Sequence, residues 1–122
     1  MNAIAMLRTA LVLLAIAALG GVAMAAVRLS KNINPPSWLA MLHGLLAAAG
    51  ATLLLYATLT VGLPSLANIG LIFLLIAALG GLVLNLKYQW ERVLIPTGLM
   101  VGHGAIAVVG FILILLVAWN GH

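Results

Sequence analysis

Read for apolar and polar positions, the chain is four long apolar runs separated by short polar breaks. The runs cover about 7–29, 38–61, 66–86 and 95–119, and none shows a polar face at a period of two or of 3.6. About 20 apolar residues suffice to cross a hydrocarbon core of about 30 Å, so each run predicts a membrane-spanning helix. Strands of a membrane barrel would alternate apolar and polar residues, whereas stretches such as 11–27 and 71–84 are apolar all round. The pattern predicts an all-α membrane protein of four helices in a single domain spanning residues 1–122.

The breaks fit that scheme. Residues 30–37 are polar and stopped by Pro35 and Pro36, with Trp38 placed as an interfacial anchor. Residues 62–65 form a short uncharged turn, and 87–92 are the most polar stretch, followed by Pro96 at the expected first turn of the last helix. Arg28, Lys31, Lys87 and Arg92 flank the first and third breaks, and the second carries no charge. The positive-inside bias puts the 30–37 and 87–94 loops in the cytoplasm and both termini outside, as in a bacterial inner membrane. The first run, with Arg8 before it and Ala23-Met24-Ala25 near its end, has the outline of a secretory signal. Its close copy in the third run is internal to the chain, which favours a retained span.

Composition sharpens this picture mainly by exclusion. Of 122 residues, 66% are hydrophobic and 5% charged, far too little polar surface for a protein dissolved in water. Cysteine is absent, so disulfides, thiolate metal sites, iron–sulfur clusters and thioether-linked haem are ruled out. The net charge of +4 is small and scattered, which gives no footing for nucleic acid. Glu91 is the only acidic side chain, so paired-carboxylate chemistry has no residues to use.

The chain also repeats itself. Laid without a gap on residues 71–120, residues 11–60 give 16 identities. The rarer matches are Gly20-Gly21 with Gly80-Gly81, Pro36 with Pro96, His43-Gly44 with His103-Gly104, and Gly50 with Gly110. This reads as a duplicated two-helix hairpin, about 7–61 and 66–120. With two spans in each copy, both enter from the same side as parallel repeats, which sets His43 and His103 at one depth. Pro36, Leu39, His43, Ala47 and Gly50 lie on one helical stripe and all recur, so the stripe is expected to face inward.

In an up-down bundle the second and fourth helices lie diagonally opposite. Two inward imidazoles at one depth would bracket a slot for one haem b, held through its iron by His43 and His103. Gly44, Gly50, Gly102, Gly104 and Gly110 would give that slot room, together with Gly20-Gly21 and Gly80-Gly81 on the other helices. At 1.5 Å per residue, His43 lies about 8 Å inside Trp38, and Gly20-Gly21 about 12 Å in from Leu29. The haem carboxylates would then reach Arg28, Lys31, Lys87 and Arg92 at the interface.

These residues resemble the haem-bearing four-helix bundle of membrane b-type cytochromes, including that of quinol-oxidising complexes. The resemblance implies axial ligation by His43 and His103, with the paired glycines of the first and third helices making room. Those cytochromes carry a second histidine about four turns further along each ligand helix. Here Ala57 and Val117 stand at those positions, so one haem is implied. His122, at the C-terminus, has no place in the pattern.

The expected function is electron transfer, with quinone or a larger respiratory complex as partner and lipid as solvent, rather than stand-alone catalysis. Two other functions fit the same residues. One is a structural or assembly subunit that packs through its glycine faces. The other is a small transporter using the paired histidines as titrating groups, a reading weakened by the lack of any carboxylate inside a span.

Overall fold

A computed structural model describes residues 1–120; His122 lies outside the described residues. The chain forms α1 (Ala3–Lys31), α2 (Ser37–Thr60), α3 (Ser65–Val83) and α4 (Thr97–Asn120), and α3 runs on into a π-helical segment over Leu84–Gln89. Counting that segment with α3, all four helices are long and apolar enough to cross a membrane. Large side chains such as Leu19, Val22, Leu59, Leu79 and Trp119 are mostly exposed, as helices solvated by lipid require.

Local sequence accounts for the helix ends. Asn2 caps α1, its side-chain oxygen accepting from Ala5 N at 2.8 Å. Asn32 ends that helix in the left-handed region at φ 54, a conformation asparagine adopts readily. After each break the next helix opens on a proline carbonyl. Pro36 O accepts from Leu39 and Ala40, Pro64 O from Ala67 and Asn68, and Pro96 O from Met100. Pro96 therefore sits just before α4 rather than inside its first turn; proline's fixed φ suits that extended entry and its missing N–H removes no helical bond. Between α2 and α3, Gly62 reverses the chain at φ 76, its N–H donating back to Ala57 O at 3.0 Å.

Helices adjacent in sequence pack most closely, α1 on α2 and α3 on α4, and lighter contacts of α2 with α3 and α1 with α4 close the ring. The apolar core is off-centre. It gathers Leu7, Ala10 and Leu14 of α1, Leu54 of α2, Ala67, Leu71 and Leu74 of α3, and Ile114 and Ala118 of α4. These occupy the half of the bundle nearest the N-terminus and the α2–α3 turn. Leu54 and Ile114, sixty positions apart, are its two fully buried large side chains.

The α1–α2 and α3–α4 loops meet at the other end. Asn34 bridges them twice, its Nδ2 donating to Val93 O at 2.8 Å and its Oδ1 accepting from Ile95 N at 2.9 Å. Gln89 Nε2 donates to Pro35 O at 2.6 Å. Arg28, buried, donates from Nε to Ile95 O at 2.7 Å and from Nη1 to Asn32 Oδ1 at 3.0 Å. The π segment brings Asn85 and Gln89 to this meeting point, where one extra residue per turn changes the facing of α3's last turn.

Candidate functional site

Between the packed half and the bridged loops, α2 presents His43 and α4 presents His103. Each imidazole makes one hydrogen bond, to the neighbouring helix of its own hairpin. His43 Nδ1 lies 2.7 Å from Ala17 O, and His103 Nδ1 lies 2.7 Å from Ala77 O. A carbonyl oxygen can only accept, so each Nδ1 must carry the proton and donate. The opposite nitrogen, Nε2, keeps its lone pair in both rings, and neither Nε2 has a hydrogen-bond partner among the described residues.

The glycine pairs explain how the rings reach those carbonyls. A Cβ on Gly21 would lie 3.1 Å from His43 Cε1, and one on Gly81 would lie 3.1 Å from His103 Cε1. Gly20 and Gly80 meet the Cβ atoms of the same histidines at 3.7 and 3.8 Å. The bare helix surface lets each ring lie flat enough to bond the carbonyl one turn back. These four glycines therefore support the imidazoles themselves, where the sequence alone assigned them to making room for a ligand.

The two rings come together across the bundle. Their centroids are 6.2 Å apart with an interplanar angle of 77°, edge toward face. Both are half-buried.

The glycines of α2 and α4 separate into two groups. A Cβ on Gly50 would come within 2.8 Å of Leu14 Cγ, and one on Gly110 within 2.9 Å of Gly70 O and Leu74 Cγ. Helix contact within each hairpin accounts for both, and they lie away from the histidine rings. At Gly44, Gly98, Gly102 and Gly104 an added methyl would meet nothing within 4 Å, so packing within this chain makes no demand on them.

The four expected cations are not equivalent either. Arg28 is buried and held by two bonds, while Lys31, Lys87 and Arg92 are exposed. Lys87 lies over the Tyr88 ring at 5.9 Å. Sequence reasoning missed the Asn34 and Gln89 bridges and the acceptor role of Ala17 and Ala77. The constant separation of 26 residues between each alanine and its histidine, with Gly-Gly a turn later, was the signal for the second.

A cleft of about 520 Å³ opens where the two loops meet, lined by residues of both loops, the start of α2 and the π segment. Beside it, Gln89 Oε1 is buried without a partner. No family model, curated protein or solved structure matches this chain.

Proposed function

We propose that this chain is a single-haem b-type cytochrome of the membrane, with His43 and His103 as the axial ligands of one haem b, and that it carries electrons. The observation that carries this reading is the paired imidazoles, each fixed by an Nδ1–H to carbonyl bond and each with Nε2 unbonded. The donor set suits the iron: a neutral imidazole nitrogen is a ligand to it, and a second hydrogen bond at the far ring nitrogen is the usual way such ligands are oriented. Spacing supports it too. The 6.2 Å between ring centroids is close to what two imidazoles sharing one metal need, about 6 Å; from their edge-toward-face arrangement one ring would have to turn to aim its Nε2 at it.

Haem held by these two imidazoles would supply reversible one-electron transfer. The chain's own residues do the rest. Ala17 and Ala77 hold the tautomer and make each Nε2 more electron-rich, which favours the oxidised iron. Gly21 and Gly81 set how each ring is turned. Arg28, pinned at the loop end with N–H groups to spare, is the best-placed cation for a haem carboxylate.

The wider reading is of one hairpin used twice, in parallel orientation, closing as an up-down bundle. Its support is that positions sixty apart do matching things: Ala17 with His43 and Ala77 with His103, Leu14 against Gly50 and Leu74 against Gly110. The Lys/Arg bias of the loops supports an inner-membrane placement with those loops cytoplasmic. Quinone or a larger respiratory complex is the expected exchange partner. The open sides of Gly44, Gly98, Gly102 and Gly104 also favour a second reading, a subunit whose helices dock on those of a larger assembly.

The visible spectrum of the protein purified in mild detergent, oxidised and then reduced, tests the first reading. Sharp reduced bands, lost in both His43→Ala and His103→Ala, are expected. A colourless, folded protein from haem-replete cells would overturn it in favour of the second.

A further inference from the structure

The cleft between the two loops is independent of the histidine pair and has a chemistry of its own. Asn32, Ser37, Met41, Asn85, Trp90 and Arg92 are among its walls. Arg92 stands out first for its backbone. It occupies the left-handed region at φ 57, sixty positions after Asn32, which does the same at φ 54. Asparagine and glycine tolerate that conformation, whereas another L-residue there costs about 1–2 kcal/mol. That geometry closes the π segment, Arg92 N donating to Gln89 O at 3.3 Å and Val93 N to Tyr88 O at 2.8 Å, while the Arg92 guanidinium has no hydrogen bond or ion pair to another described residue. The backbone at Arg92 thus serves the helix end, and its guanidinium is left available to a ligand in the cleft.

The neighbouring groups say what that is. The Asn85 amide and the Ser37 hydroxyl face the same cleft, and neither has a side-chain partner among the described residues. Asn85 belongs to a helix otherwise apolar enough to span a membrane, where an unpaired amide is costly. Gln89 also lines the cleft, its Nε2 already donating to Pro35 O and its Oε1 buried without a partner. What faces inward is thus a guanidinium, an amide and a hydroxyl, a donor set suited to an oxyanion. The one acidic side chain, Glu91, is exposed and bonds none of them. Trp90, 73% exposed, marks headgroup depth, and Ile33, Met41 and Leu94 supply the cleft's apolar surface.

We propose that this cleft binds a phosphate oxyanion carried by a membrane lipid, with Arg92 as its main contact, Asn85 and Ser37 as hydrogen-bond donors, and the acyl chain along Met41. Free phosphate shares the oxyanion chemistry but has no use for the apolar wall.

Native mass spectrometry and thermal unfolding of the protein in neutral detergent, titrated with phosphatidylglycerol, diacylglycerol or inorganic phosphate, provide the test. Phosphatidylglycerol is expected to give a one-lipid adduct and a higher Tm, and the other two little change. Arg92→Gln should weaken lipid binding about tenfold or more, the scale of one charge-assisted hydrogen bond, and Asn85→Ala should weaken it less. Arg92→Gly is the sharper variant. It relieves the left-handed backbone, so the lipid-free Tm should rise while the adduct disappears. Equal protection by inorganic phosphate would assign the site to a free ion, and equal protection by diacylglycerol would remove the oxyanion; either overturns the proposal. So would lipid binding indifferent to Arg92→Gln, or a fall in lipid-free Tm in Arg92→Gly, which would make the arginine a structural residue.

Discussion

The two halves of this bundle are built from the same two hairpins, yet they solve opposite problems. Toward the N-terminus and the α2–α3 turn, leucine and isoleucine fill the centre, and the helical glycines there, Gly50, Gly70 and Gly110, are each pressed by another helix. Toward the bridged loops, the centre holds two imidazoles backed by glycine pairs, and further glycines stand open. One half is filled by its own side chains. The other keeps polar nitrogens within helices apolar enough to span a membrane, with only half of their bonding satisfied. A protein dissolved in lipid has little hydrophobic drive to bring its helices together, so close packing has to supply it. The packed half does so, and thereby holds the other half in a shape that packing alone would not choose.

Substitutions can set one half against the other. The largest loss of stability is expected from Leu54→Ala or Ile114→Ala, about 2–5 kcal/mol for a fully buried large side chain, read by denaturant unfolding in detergent. Any haem bands of the surviving folded fraction should keep their position. Gly110→Ala is next, at about 1–3 kcal/mol, because the added methyl meets backbone and a branched leucine. His43→Ala reverses the balance. It removes one hydrogen bond worth about 1 kcal/mol, yet should abolish haem absorbance altogether.

Gly81→Ala presses on the ring edge of His103 at 3.1 Å. An off-rotamer shift costs about 0.5–1.5 kcal/mol, and the expected result is a displaced midpoint potential, matched by Gly21→Ala because the two contacts are alike. The smallest effect on stability belongs to Gly44→Ala, with nothing near the added methyl. Alanine should leave the haem-free protein unchanged or more stable by about 0.5–1 kcal/mol while lowering haem loading. Full loading would mean that Gly44 faces lipid and walls no slot.

How much of this was legible beforehand follows from what each residue responds to. The four helices came from apolar run length, and their ends lie within a few residues of the runs because proline and glycine act locally. His43 and His103 could be paired through the sixty-residue offset, and the structure does bring their rings together. The partners of Nδ1 were hidden because they are backbone atoms: any residue at 17 or 77 offers the same carbonyl. Gly50 and Gly20 look alike as letters, and only the position of the facing helix tells a contact glycine from one that supports a ring. Asn34 and Gln89 read as loop polarity, although each ties one hairpin to the other. The π segment left no trace in the apolar pattern, since its extra residue per turn alters facing and not composition.

The hydrogen bonds of the two histidines run within a hairpin and never between hairpins: Ala17 and His43 belong to the first, Ala77 and His103 to the second. Each hairpin thus finishes orienting its own imidazole as soon as its two helices meet in the bilayer. During synthesis the first half-site can be complete while the second is still in the ribosome. Later docking joins two preset halves at the loop bridges and the shared core, and a flat ligand caught between them would act as the template that registers one against the other.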